Sequence, residues 1–214
     1  AGPANCFIGR PPQHRRLEGN DDQLGSLGRI PSGKERCLMS RYLAIGMTLA
    51  CLALVVGGMF GHSWRTHEGT NPGDDRLHGS HYGLHEVYYS VDGDLGDPLE
   101  YSNACATSDS AYEPMCDMES AGRTTTNILW VVIATGSIAI LLSLLNPEKT
   151  WVVTLLMGTT GILALAAVVV WYTMHDQTYI ADEVSLGLNA YMTIVGGILG
   201  ILGSDPRGSG HGMH

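Results

Sequence analysis

The chain has 214 residues, 21 acidic against 12 basic, and a formal net charge of −9. Its mean hydropathy is near zero, but that average conceals four long stretches with no Asp, Glu, Lys or Arg. Four such stretches in so short a chain exclude a soluble globular domain, which would have too little protein left to bury them. They also exclude a β-barrel, whose strands are about ten residues long and alternate in polarity.

Residues 1–38 are rich in Gly, Pro, Arg and Gln and show little periodicity, and segment 1–41 is expected to be a disordered cytoplasmic stretch. Met39-Ser40-Arg41 opens the first apolar block as a translation start would, so 1–38 reads as an upstream extension. The four blocks, 42–61, 127–145, 151–172 and 184–203, each suit a helix. At 1.5 Å per residue, about 20 residues cross a hydrocarbon core of about 30 Å, and a helix satisfies its own backbone there. The first block reads as an uncleaved anchor, since it is longer than a signal-peptide core. The expected fold is therefore an all-α membrane domain over 42–203. It is a four-helix bundle with a small, β-rich, disulfide-closed outer loop over 62–126 and a cytoplasmic tail at 204–214.

Segment 1–41 carries seven basic and four acidic residues, whereas 62–122 carries twelve acidic residues against Arg65 and Arg76. The positive-inside rule then places both termini and the 146–150 connector in the cytoplasm. Loop 62–126 and the 173–183 connector lie outside. Trp151, Trp171 and Tyr172 bracket the third span, and Tyr42 and Trp64 flank the first, as interfacial aromatics do. Gly57 and Gly61 form GxxxG in the first span, and Gly196 and Gly200 form another in the fourth. Small residues allow close helix approach, within one bundle or between two copies. No charge lies in any span, which disfavours an ion-coupled transporter. Asn127 and Asn189 are the notable polar side chains there, with Asn189 suited to bond a neighbouring helix.

The outer loop holds most of the information. Cys105 and Cys116 lie in it, Cys51 is mid-span, and Cys6 and Cys37 are cytoplasmic. Two cysteines in an oxidising compartment pair with each other, which contributes roughly 2–4 kcal/mol. There is no CxxC, which argues against a thiol-redox enzyme. Leu84–Val91 is rich in strand formers, with His85, Val87, Tyr89 and Val91 on one face. Asn71-Pro72-Gly73, Asp92-Gly93-Asp94 and Gly96-Asp97-Pro98 punctuate the loop as turns. Histidines crowd its start (His62, His67, His78, His81 and His85). His78, His81 and His85 have helical ligand spacing for Zn or Cu, although Gly79 and Gly83 oppose a helix. Asp92, Asp94 and Asp97 offer oxygen ligands of the kind calcium takes, without the EF-hand spacing. Solvated histidines and a solvated acidic turn are the plainer readings.

This layout resembles the claudin and peripheral-myelin-protein tetraspan superfamily. That family places a Trp after the first helix, a Gly-Leu-Trp in the loop sheet, a loop disulfide and an Arg before the second helix. Here Trp64, Gly83-Leu84, the Cys105–Cys116 pair and Arg123 occupy such positions, with His85 standing where the family has its second Trp. The loop is also longer before its first Cys. The resemblance implies a non-enzymatic protein without a cofactor. Its role would be adhesion, junction formation, barrier selectivity or complex assembly. Its partners would be the lipid bilayer and other membrane proteins or itself, with no nucleic acid. The alternatives are a metal-binding accessory protein and, less favoured, a membrane thiol-redox enzyme.

Overall fold

The computed structural model describes residues 33–70, 76–107, 113–146, 150–174 and 185–204. The Asn71–Gly73 turn, most of the N-terminal extension and of the 146–150 connector, and nearly all of the tail and the 173–183 connector lie outside the described residues. The elements in chain order are α1 (Gly33–Phe60), β1 (Arg65–Thr70), β2 (Leu77–Tyr82), β3 (Glu86–Val91), β4 (Asp94–Leu95), β5 (Leu99–Glu100), α2 (Tyr101–Cys105), α3 (Glu113–Leu145), α4 (Thr150–Met174), β6 (Ser185–Leu186) and α5 (Leu188–Gly203).

Among the described residues three helices are long and apolar enough to cross a membrane, over Arg41–Phe60, Pro114–Leu145 and Trp151–Met174. α5 is a shorter apolar helix of 16 residues. It begins later than the expected 184 because Ser185-Leu186 are drawn into the sheet and Gly187 is extended (φ −82°, ψ 167°). α1 begins at Gly33 rather than Tyr42, through a run of helix formers that includes Lys34, Glu35, Arg36 and Leu38. Gly33–Arg41 is therefore helical, where disorder was expected. α3 is much longer than the expected span. Its 33 residues reach about 50 Å, so roughly four turns project beyond a membrane of about 30 Å.

The four apolar helices pack in a ring, α1 on α3, α3 on α4, α4 on α5 and α5 on α1. Small residues set the closest approaches. A Cβ added at Gly161 of α4 would lie 2.5 Å from Gly197 O of α5, and one at Gly196 would lie 3.0 Å from Cys51 O of α1. Gly200 sits against the Gly161 backbone, Gly57 against Met192, and Gly61 against the Asn189 side chain. All four GxxxG glycines thus lie in contacts within the chain. The Thr135 and Thr160 hydroxyls, 3.1 Å apart, join α3 to α4. At the far end Arg41 donates to Ser143 O and Leu144 O, the free carbonyls where α3 stops.

An antiparallel sheet in the order β4-β3-β2-β1-β6, with β5 on β3, sits at the other end of the bundle. Gly83 N donates to Glu86 O, so Leu84 and His85 form a turn and β3 starts two residues later than expected. β3 and β4 are joined by Asp92-Gly93, both with positive φ (53° and 88°), the conformation a type I′ hairpin requires. Glu68, Gly79 and Ser90 lie opposite one another on one face, as do Thr66, His81 and Tyr88. Arg65, Tyr82 and Val87 lie on the other face. There Val87 packs with Tyr101 of α2 and Met118 of α3.

Gly122 seats the sheet on α3. A Cβ there would fall 1.6 Å from Leu84 O, which is backbone and cannot swing away. Gly122→Ala is expected to lower the melting midpoint in detergent by the equivalent of about 1–3 kcal/mol. Gly46→Ala, where a Cβ meets nothing within 4 Å, should leave it unchanged or raise it. Equal effects of the two substitutions would refute this account of the seat.

Candidate functional site

A helix ends with unpaired carbonyls, and in an apolar surround each needs a donor. At the end of α1, Asn189 Nδ2 donates to Gly57 O (3.0 Å) and Trp64 Nε1 donates to Gly58 O (2.7 Å). Asn189 Oδ1 accepts from Ser63 N (3.3 Å), and its backbone N donates to Ser63 O (3.0 Å). Trp64 N donates to Tyr82 O, and Trp64 O accepts from Gly187 N, both at 2.8 Å. The fully buried Trp64 ring lies 5.5 Å from that of Trp171 on α4. One tryptophan and one asparagine thus bind α1, β2, the β6–α5 corner and α4 together.

Of the other family-like positions, Gly83 and Leu84 reach the same junction, whereas Arg123 and the cysteine pair lie away from it. Leu84 is buried with Trp64, Ala121 and Trp171. Gly83 O accepts from the buried Tyr101 hydroxyl at 3.3 Å, and burial raises the pKa of that phenol. Arg123 follows Gly122 on the exposed side of α3 and pairs with Glu119. His85 bonds Thr126 Oγ1 at 2.9 Å. Cys105 and Cys116 form a disulfide, Cα atoms 4.9 Å apart, which ties the end of α2 to the projecting part of α3. Cys51 is a free cysteine, buried in the bundle and far along the chain from that bond.

The metal candidates are not brought together. His78 and His81 are three residues apart on β2, and strand alternation points them to opposite faces. His85 stands in the turn against α3. Asp92 accepts from Leu77 N at 3.0 Å, which ties the β3–β4 turn to the start of β2, and Asp94 and Asp97 are exposed. Among the described residues no three His, Cys, Asp or Glu side chains converge. The helical spacing of the histidines failed because Gly79 and its neighbours form a strand.

What the fold does assemble is a groove of about 320 Å³ between one sheet face and the α1–α5 end of the bundle. His62, Glu68, His81, Ser90, Leu188 and Asn189 line it. The His62 ring lies 5.1 Å from Tyr88 and 6.4 Å from His81, whose Nε2 is 3.1 Å from Ser90 Oγ. Burial lowers the His81 pKa below the ordinary imidazole value, Glu68 opposes the shift, and His62 adds to it. Across the sheet Arg65 is buried at 5% exposure, its guanidinium 4.9 Å over the Tyr172 ring. Sequence reasoning missed both Arg65 and the His62–His81–Tyr88 cluster, which depend on strand pairing.

Against protein-family models and against curated proteins, the chain finds no match. The junction itself therefore carries the functional argument.

Two outcomes are expected. Asn189→Ala removes a donor and an acceptor at one helix end and should destabilise the protein by about 1–2 kcal/mol, read as a lower melting midpoint. A change below experimental error would show that α1 ends without need of it. For His81 the folded state disfavours the proton and the unfolded chain takes it up first. Stability is then full above the ordinary imidazole value of about 6.5 and declines as pH falls through the lower folded value. The midpoint should be lower at about pH 5 than at about pH 7.5, with a smaller gap in His81→Asn. A gap unchanged by that substitution would remove His81 from the account.

Proposed function

We propose that this chain is a non-enzymatic, claudin-like tetraspan. Its four helices cross the membrane, both termini are cytoplasmic, and the sheet is presented outside to other membrane proteins or to a second copy. The observation that carries this reading is a sheet built from both connectors at one end of the bundle and held there at Trp64 and Asn189. Such a module is positioned by the membrane domain rather than tethered to it.

α5 serves as the fourth crossing. Its 16 residues reach about 24 Å, short of the hydrocarbon thickness by an amount that local thinning or flanking residues accommodate. It packs between α1 and α4 on glycine contacts along its length, as a spanning neighbour would. The outer strands of the sheet expose Leu77 and Leu95 on the groove face and Tyr89 and Val91 on the other. Exposed apolar side chains of this kind, rimmed by the acidic residues of the hairpin, suit protein contact. Trp64 and the Gly83-Leu84 turn meet at one junction, with the disulfide on the far side of the sheet's small core and Arg123 on the exposed side of α3, a layout in keeping with the family resemblance.

The test uses intact cells. With Cys6, Cys37 and Cys51 replaced, an impermeant maleimide should label Asp97→Cys without permeabilisation and Ser204→Cys only after it. A photo-reactive side chain at position 95 should yield an adduct to another protein or a second copy, and Leu77→Asp with Val91→Asp should abolish it. Labelling of both sites from the same side, or no adduct from any of these exposed positions, would sink the reading.

A further inference from the structure

Arg65 has no carboxylate partner among the described residues, and its Nη1 is buried without a hydrogen bond. Its cross-strand neighbours, Tyr82 and Leu186, carry no charge to answer it. A guanidinium does not give up its proton at any physiological pH, so the charge persists and must be met by something. Two residues along β1, His67 Nδ1 is likewise buried and unpartnered among the described residues. Residues i and i+2 of a strand share a face about 7 Å apart, so both nitrogens belong to the side of the sheet that carries Tyr82. Two orphaned nitrogens on one face, one permanently cationic and the other a donor in the Nδ1–H form of its imidazole, make the donor set of an oxyanion site.

The surroundings indicate where the oxyanion comes from. Tyr172, under the guanidinium and partly exposed near the end of α4, is at the depth where interfacial aromatics sit and lipid phosphates lie. The 62–122 segment carries twelve acidic and two basic residues, a field that opposes any anion, and a phosphate already held at the membrane surface offsets that repulsion by its high local concentration, which a soluble anion lacks. We propose that Arg65 and His67 form a binding site for the phosphate diester of an anionic phospholipid, with Tyr172 as the ring beside the headgroup. This inference rests on the membrane reading above. It requires only that the bundle spans, not which side carries the sheet.

The full chain, purified in non-ionic detergent and phosphate-free buffer, is titrated with dioctanoyl phosphatidylglycerol and followed by native mass spectrometry and melting. One lipid should be retained per chain with a raised midpoint. Dioctanoylglycerol, which lacks the phosphate, and inorganic phosphate at equal concentration should do neither. Arg65→Gln should weaken retention by about tenfold or more, and His67→Asn by a smaller factor. If Arg65→Gln does not fold, Arg65→Lys keeps the charge but gives up the planar fork, and intermediate retention is expected. Wild-type affinity in the Arg65 and His67 variants overturns the proposal, as does wild type that retains no phosphatidylglycerol. Equal stabilisation by inorganic phosphate overturns the lipid assignment. A chain that does not co-float with phosphatidylcholine vesicles fails the membrane reading, and this inference with it. A chain that floats but shows no selective retention fails this inference alone.

Discussion

The carbonyls at the end of α1 cannot be left bare. They emerge where water is scarce, and a missing donor there would cost about as much as a lost hydrogen bond in the interior of a protein. The chain meets this need with two side chains that come from opposite directions. Trp64 folds back from the connector that leads into the sheet, and Asn189 reaches across from the first turn of α5. Because both residues also bond through their backbones to Ser63, Tyr82 and Gly187, the capping of one helix fixes the position of the sheet and of the last helix. Gly61 is required by this arrangement, since a Cβ there would occupy the place of the Asn189 amide.

The disulfide and the projecting α3 extend the same logic away from the membrane. Val87, Tyr101 and Met118 form a small apolar core between the sheet, α2 and α3. That core is too small to hold a separate domain together, and the Cys105–Cys116 bond closes it at the far side. The sheet is thus bounded by a bundle below and a cross-linked helix pair beside it. Its two faces are chemically distinct as a result, one an imidazole-lined groove and the other a buried cation above an aromatic belt.

Much of this was legible in the residues. Uncharged blocks of spanning length revealed the long helices, and the place of two cysteines in one loop revealed the bond. Asp92-Gly93 marked a turn whose positive φ values only Gly, Asn and Asp adopt readily. What escaped notice has a common cause. β1 and β2 read Arg-Thr-His-Glu-Gly-Thr and Leu-His-Gly-Ser-His-Tyr, with few of the branched apolar residues that announce a strand. Their stability comes from pairing with β3 and from the backbone bonds at Trp64, which are contacts distant in sequence. The same holds for Glu113–Arg123, whose charges hid a helix continuous with the span that follows, and for Ser185-Leu186, which reads as the start of a span. Asn189 was recognisable as a polar residue that needs a partner, but its partner lies 132 residues earlier.

The pairing of β6 with β1 has a consequence for the order in which the protein is made. Thr66 and Ser185, whose hydroxyls meet across the two strands, are 119 residues apart. At a synthesis rate of about 5–20 residues per second, β1 waits on the order of ten seconds for its edge partner. Throughout that interval the edge of β1 is open to any other strand within reach. It closes when the ribosome has produced the segment that leads into the last helix. The sheet is therefore completed only just before the last helix is made, although most of it is encoded in the first half.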